Sequence, residues 1–337
     1  MNKKRWIAVA LSVLVFISSF VVSSKGKSKI IEKETTSLLK ELMSEELSKT
    51  VLRPGNANQR IAVLHIRGTI LNMEGNWLNA SQYNHNLTIN SLDSIRNDET
   101  VKGIIIRIDS PGGGVYESAQ LSDKIGEIKR TRNIPVYVVM ESMAASGGYY
   151  IAAGADQIYA TEETLTGSIG VIMSGMNYSG LMDKLGVEDM TIKSGEMKDV
   201  GSLTRETTKK DLEVLQELVD NMYERFVDVV VEGRDMDRAK VYKLADGRIY
   251  DGAQAKNNGL VDKLGYYDEA LADFEKAYGL QEAEVFSYDN MGLDKISQLF
   301  MKSANLFNPR KEINVGNIEL PASWKESSGF MYIYGGY

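Results

Sequence analysis

The sequence contains no cysteine and only two histidines among its 337 residues. The absence of cysteine excludes disulfides, thiolate metal sites and a cysteine nucleophile. A Ser-His-Asp triad would have to use His65 or His85, and neither histidine has a metal-binding partner at a useful spacing. We therefore interpret both histidines as structural, and we predict no metal and no cofactor.

Excess positive charge is also lacking. The formal net charge is -7, and no stripe of lysine or arginine occurs outside the N-terminus. Proteins that bind nucleic acid carry basic patches that match the phosphate backbone. The sequence therefore predicts no nucleic-acid partner. Its apolar and charged fractions are those of an ordinary globular protein.

The N-terminus contains the one long apolar run. Met1–Arg5 is basic, and Trp6–Ser24 carries no charge and is close to the ~20 residues that span a bilayer as a helix. The alternatives are a cleaved signal peptide and a retained anchor. The run is long for a signal peptide and ends in a weak cleavage site, so we predict a retained anchor over residues 1–29. The cations at the N-terminus favour a cytoplasmic N-terminus, with the remaining chain on the extracytoplasmic side of the cell membrane.

Three further regions follow the anchor. Residues 30–59 form a predicted amphipathic stalk, helical over 30–53, and residues 281–337 form a C-terminal extension with a partly flexible tail. Between them, residues 60–280 alternate strand-like and helix-like segments, which indicates an α/β domain with a largely parallel sheet. The main predicted elements are the strands Ile61–Ile66, Val101–Ile108 and Ile134–Met140, a loop over Asn72–Asn90, and helices over Tyr116–Arg130 and from the N-cap Thr204 to Glu232.

The segment Ser142–Tyr150 lies between an apolar strand and a helix rich in small residues. Its central Ser146 therefore falls at a strand-to-helix junction and is followed by two glycines. Backbone N–H groups at the start of a helix can stabilise a developing anion, which suits a nucleophilic serine. A tight turn built from small residues is the alternative.

A second glycine-rich segment, Asp109–Gly114, follows the strand Val101–Ile108. It lacks the Lys-Ser/Thr pair of a phosphate-binding loop and the spacing of a dinucleotide fingerprint. We favour a loop of backbone donors for an oxyanion, and a purely structural turn remains the alternative.

A nucleophilic serine needs a base, and with histidine scarce the candidate is a lysine. A lysine acts as a base only when neutral. Its reference pKa is about 10.4, and full burial can lower that value by about three to five pH units. Lys198 follows Gly195 and Met197 and suits this role, but the residues alone do not separate it from Lys193.

Five motifs together resemble the signal peptide peptidase A (protease IV) family, in its short, single-repeat, membrane-anchored form. The resemblance runs from Arg60 to Gly265. The motifs, in family order and spacing, are Asp109–Gly114, Ser142–Tyr150, Thr166–Gly170, Ser194–Lys198 and Asp246–Tyr250.

This resemblance implies a crotonase/Clp-protease-like fold with repeated β-β-α units and a Ser-Lys dyad. Ser146 matches the family nucleophile and Lys198 the general base. Ser168 matches a serine that holds the lysine. Gly113 and Gly147 are the candidate oxyanion donors.

The resemblance also implies a function and an assembly. The family hydrolyses remnant signal peptides, and in its short members the serine and lysine of one site come from neighbouring subunits of a homo-oligomer. Two alternatives are an acyl-CoA enzyme of the crotonase type and a membrane-tethered peptide-binding scaffold without activity.

Overall fold

A computed structural model describes residues 47–72, 83–289 and 331–333 of the chain. The strands are β1 (Ser48–Arg53), β2 (Asn56–Arg67), β3 (Val101–Ser110), β4 (Gly112–Gly114), β5 (Val136–Ala145), β6 (Gln157–Ala160), β7 (Leu165–Gly167), β8 (Ile249–Asp251), β9 (Lys263–Leu264), β10 (Ala283–Asp289) and β11 (Met331–Ile333). The α-helices are α1 (His85–Asn97), α2 (Val115–Arg132), α3 (Gly147–Ala152), α4 (Ser179–Leu185), α5 (Lys209–Arg234), α6 (Arg238–Leu244), α7 (Gly252–Asn258) and α8 (Tyr267–Tyr278), and a 3₁₀ helix spans Glu196–Asp199.

A mixed sheet of nine strands forms the centre of the fold, in the order β1-β10-β2-β3-β5-β6-β9, with β7 paired to β5 and β8 paired to β7. The pairs from β10 to β9 along this order are parallel, as is β5 with β7, whereas β1 with β10 and β7 with β8 are antiparallel. Since β2, β3 and β5 are parallel, their carboxyl ends meet at one edge of the sheet. The glycine-rich segment and the Ser146 segment both follow these ends.

The central strand β3 explains why the sheet is covered on both faces. Its run of isoleucines is continuous rather than alternating, which is typical of a strand buried on both sides. Ile105 packs with Phe274 of α8 on one face. Ile104 and Ile106 belong to the larger core on the other face, to which α1, α2, α3 and α5 contribute.

The main sheet extends beyond the predicted domain limits of 60–280. Ser48–Arg53, which we predicted as part of a helical stalk, is instead the strand β1, because it pairs with β10 at the edge of the sheet. Residues 1–46, with the predicted anchor and most of the stalk, lie outside the described residues. Among the described helices, none is both long enough and apolar enough to cross a membrane.

Two predicted helix starts were wrong. The predicted loop over Asn72–Asn90 includes the first turns of α1, because the Asn84 side chain caps the helix by accepting from Leu87 N at 3.0 Å. The long helix α5 is capped by Thr208 rather than Thr204. Thr208 forms a reciprocal capping box with Asp211, which Thr204 does not.

The C-terminal strand β11 forms a separate two-stranded sheet with β4. The pairing is antiparallel and sets Tyr332 opposite Gly113. An extended segment therefore lies along the free edge of the glycine strand.

Candidate active site

Ser146 occupies the junction between β5 and α3, as the sequence predicts. Its backbone has φ 53° and ψ −116°, a conformation that costs a residue with a side chain about 1–3 kcal/mol. Two hydrogen bonds of 2.8 Å hold it, from Ser146 N to Gly167 O and from Tyr150 N to Ser146 O. The surrounding fold thus fixes a strained serine at the carboxyl edge of the sheet.

The short helix α3 is anchored in the core. The hydroxyl of Tyr149 donates to Leu260 O at 3.0 Å, and complete burial raises the pKa of that hydroxyl. The ring of Tyr150 lies against Phe226 of α5, with centroids 5.0 Å apart. The first N–H groups of a helix have no partner within it, so that of Gly147 is free of helical bonding beside Ser146.

Ser168 lies next to Ser146 because of the parallel register of β5 and β7. That register pairs Ala145 with Gly167, so the two serines follow directly on neighbouring strands. Ser168 is buried with φ 47°, and its N–H donates to Arg248 O at 2.8 Å. The second serine is therefore as rigidly placed as the first.

The glycine strand β4 has two edges. The inner edge bonds to Ile70, and the outer edge faces away from Ile70. On the inner edge, Ile70 N donates to Gly112 O and Gly114 N donates to Ile70 O, both at 2.8 Å. Because successive peptide groups alternate in direction, the N–H and carbonyl of Gly113 face the outer edge. A side chain at Gly113 would collide with the inner edge, since an added Cβ would lie 2.1 Å from Ile70 O.

Ser110 fixes the start of this strand, a role that the sequence analysis missed. Its buried hydroxyl donates to Gly68 O at 2.6 Å and accepts from Gly112 N at 3.1 Å. The signal was present in the segment Asp109–Gly114, since a serine two residues before a turn can bond the backbone of that turn.

Lys198 is far less enclosed than these residues. It lies in the 3₁₀ helix Glu196–Asp199 and is exposed. This helix belongs to a connection over residues 172–208, which we call the lysine arm, and no residue of that arm is buried. Within the part of the chain that the structure describes, neither the Lys198 ammonium nor the Ser146 hydroxyl has a hydrogen-bond partner. The structure gathers Ser146, Gly147, Ser168 and β4, but it does not join Lys198 to them within one chain.

Comparison with known proteins identifies the family of the chain. Residues 128–281 match peptidase family S49. A protein from Enterococcus faecium is 45% identical over 295 residues, which cover 86% of each chain. That protein carries the provisional name signal peptide peptidase SppA. The chain belongs to peptidase family S49. The chloroplastic serine protease SPPA of Arabidopsis thaliana is 32% identical and matches 67% of this chain and 33% of its own length. A structure of a ClpP1 mutant from Listeria monocytogenes is 19% identical over 62% of this chain and 94% of its own, with a TM-score of 0.39.

Membership makes this S49 protein a serine peptidase, so its hydrolytic chemistry rests on a serine. His85 is not a free base for that serine. It is buried, and its ring nitrogens lie 2.8 Å from the Tyr83 hydroxyl and 2.7 Å from Gln120 Oε1. His65 belongs to β2, where its register partner is Arg107.

Proposed function

We propose that this S49 peptidase is a membrane-anchored endopeptidase that cleaves remnant signal peptides and other short apolar peptides with a Ser146–Lys198 dyad. The observation that carries the proposal is the placement of the strained Ser146 beside the outward edge of β4. A nucleophile, a helix start and a strand edge that pairs with the extended segment Met331–Ile333 meet there, which suits attack on an extended peptide.

The edge of β4 supports a mode of peptide binding. Extended peptides bind many proteins by adding a strand to a free sheet edge. The segment Met331–Ile333 pairs with β4 in this way, antiparallel and with Tyr332 opposite Gly113. We infer that a substrate takes the same direction, with main-chain bonds to Gly113 and its side chains directed to alternate faces.

The chemical steps follow from these positions. Neutral Lys198 accepts the proton of the Ser146 hydroxyl, and Ser146 Oγ forms a bond to the peptide carbonyl carbon. The N–H groups of Gly113 and Gly147 hold the oxyanion. The C–N bond then breaks as Lys198 protonates the leaving amine, and water hydrolyses the acyl-enzyme. Ser168 accepts a hydrogen bond from Lys198 and orients it.

The exposure of the lysine arm supports a site shared between subunits. Large apolar side chains project from the arm into solvent, and monomeric proteins rarely expose such a surface. They are Met176, Leu181, Leu185, Val187, Met190 and Ile192. We propose a homo-oligomer in which the arm of one subunit packs on its neighbour and brings Lys198 to the neighbour's Ser146.

The remaining parts of the proposal concern the fold class and the location. The parallel strands, each contributing a site segment at its carboxyl end, are consistent with the Clp/crotonase type. The uncharged run Trp6–Ser24 supports an N-terminal anchor, with the peptidase domain on the extracytoplasmic side. A catalytic domain held at the membrane surface meets apolar peptides released from the bilayer.

The dyad is tested by measuring hydrolysis of a fluorogenic apolar peptide by the full-length protein in detergent. We expect Ser146→Ala and Lys198→Ala each to lose turnover, and Lys184→Ala, another exposed lysine of the arm, to retain it. Co-expression of Ser146→Ala with Lys198→Ala should restore part of the activity, because some mixed sites combine an intact serine with an intact lysine. Full turnover in Lys198→Ala would refute the dyad, and failure of the mixture to regain activity would refute the shared site.

A further inference from the structure

The turn that carries Lys198 is attached to the protein through the next residue, Asp199. Both belong to the 3₁₀ helix Glu196–Asp199. The Asp199 carboxylate accepts from Lys193 Nζ at 2.8 and 2.9 Å and also binds Arg205. Within the described residues the Lys198 ammonium has no hydrogen-bond partner, and its backbone N–H donates only to Gly195 O at 3.1 Å in the same turn. The place of Lys198 therefore depends on what holds Asp199.

Arg205 lies between two carboxylates and binds both in a bidentate manner. Its Nε and Nη2 donate to the two oxygens of Asp199, each at 3.0 Å. Its Nη1 and Nη2 donate to the two oxygens of Asp211 at 2.5 and 2.9 Å. Paired N–H···O bonds of this kind fix orientation as well as distance. Arg205 therefore ties the Lys198 turn to Asp211.

Asp211 in turn belongs to the first turn of α5. Its carboxylate accepts from the N–H and the hydroxyl of Thr208, both at 2.9 Å, and it is almost fully buried. The far half of α5 is fixed in the core by Phe226 and Val230. A continuous set of bonds thus leads from the Lys198 turn to the most firmly packed helix of the region.

Arg205 is one of three cations that face four carboxylates around the turn. Hydrogen bonding to Arg205 lowers the pKa of Asp199 to about 2 and also lowers the pKa of Asp211, so both are ionised at neutral pH. The charged groups that make side-chain bonds in or beside the turn are Lys193, Arg205 and Lys210 against Asp189, Glu196, Asp199 and Asp211. Without Arg205, four carboxylates would face two cations, and negative charge favours a protonated lysine.

We propose that Arg205 is a positioning residue for Lys198, which fixes the lysine turn to α5 and neutralises the two carboxylates beside it. The inference rests on the proposed role of Lys198 as the general base. It predicts two separable effects of losing Arg205. Misplacement of the base lowers the maximal rate, and uncancelled carboxylates shift the pH at which the base becomes active.

The pH dependence of kcat/KM for the fluorogenic peptide, measured with the full-length protein, separates these effects. We expect Arg205→Gln to lower kcat/KM at its plateau by about 100-fold and to move the midpoint of the ascending limb upward by about one pH unit. Arg205→Lys should keep the midpoint and lose about tenfold in rate, because an ammonium retains the charge but not the bidentate geometry. Adding Asp199→Asn to Arg205→Gln should return the midpoint toward the wild-type value without restoring the rate.

A matched control is Arg238→Gln, since Arg238 also lies between two carboxylates, Glu224 and Asp228, but outside the arm. It should leave both quantities unchanged. If circular dichroism shows that Arg205→Gln does not fold, Asp199→Asn alone still tests the inference. The Arg205–Asp211 pair remains in that variant. That variant should move the midpoint downward. A midpoint that stays fixed in all these variants, or a wild-type plateau rate in Arg205→Gln, overturns the inference. Full activity in Lys198→Ala would instead overturn the proposed function, so the two failures are distinct.

Discussion

The region around Ser146 and the lysine arm hold their chemical groups by different physical means. Ser146 and Ser168 are buried and have positive backbone φ angles, and they are fixed by strand register and by main-chain hydrogen bonds of 2.8 Å. The arm has no buried residue over 172–208 and is organised by ion pairs and side-chain hydrogen bonds. A buried group is held by the packing around it within its own chain. The position of an exposed polar network depends also on any molecule that packs against it. The region around Ser146 is thus fixed within one chain, whereas the lysine arm exposes apolar side chains that we propose pack on a neighbouring subunit.

The largest expected effect comes from substitutions that stop the apolar side chains of the arm from packing on a neighbouring subunit. Met190 and Ile192 are 82% and 98% exposed, so aspartate at both positions should leave the isolated fold intact. We expect Met190→Asp with Ile192→Asp to abolish turnover and to dissociate the oligomer, with an unchanged circular dichroism spectrum. Analytical ultracentrifugation in detergent and peptide hydrolysis measure the two effects.

The control for this double variant is Tyr266→Asp, which alters a side chain that is 67% exposed on a different part of the surface. It should keep both assembly and activity. A dissociated double variant with normal turnover would mean that one chain contains a complete site, and the contrast between the two regions would fall.

A substitution in the glycine strand β4 tests the region around Ser146. In Gly113→Ala, the added methyl group would lie 2.1 Å from Ile70 O, so β4 has to shift relative to Ile70. We expect kcat/KM to fall by about 100- to 1000-fold, as for loss of an oxyanion donor. Gly175→Ala in the arm is the matched control, because its added Cβ meets no atom within 4 Å. Equal activities of the two variants would show that the position of β4 has no part in catalysis.

The same contrast explains what the sequence could predict. The strand-to-helix junction at Ser146 and the buried strand β3 depend on local patterns of apolar and small residues, and both predictions were confirmed. The network of Arg205, Asp199 and Asp211 follows no such periodicity, because its members come from two turns and a helix start. The misplaced N-cap at Thr204 has the same cause. A threonine before a helical pattern is a sound signal for a helix start. The helix begins after Thr208 because Asp211 completes a capping box with that residue.

The proposed oligomer and the predicted anchor are a different case. The described residues bear on them only through exposed apolar side chains of the lysine arm. The family resemblance supplied Lys198 as the base, and no packing within one chain could have done so. Where a site is divided between subunits, motif spacing carries the information that the contacts of one chain lack.

The smallest predicted effect is a difference in acid sensitivity between the two regions. The folded pKa of Asp199 is lowered from 3.8 to about 2 by its bonds to Arg205 and Lys193, and the pKa of Asp211 is lowered by Arg205 as well. A lowered folded pKa stabilises the structure above the unfolded value and loses that contribution as the pH falls through the folded value. The arm should therefore loosen between about pH 4 and pH 2.

Pepsin cuts in this range, and mass spectrometry of the first fragments locates the cuts. We expect the ratio of cuts within residues 172–208 to cuts elsewhere to rise as the pH falls from 4 to 2.5. In Arg205→Gln the ratio should already be higher at pH 4 and should rise less than in the wild type, because the Arg205 bonds to Asp199 and Asp211 are absent and the Lys193–Asp199 pair remains. A ratio independent of pH in the wild type would mean that ion pairs do not hold the arm. The difference in construction between the two regions would then need another physical basis, such as packing against the neighbouring subunit.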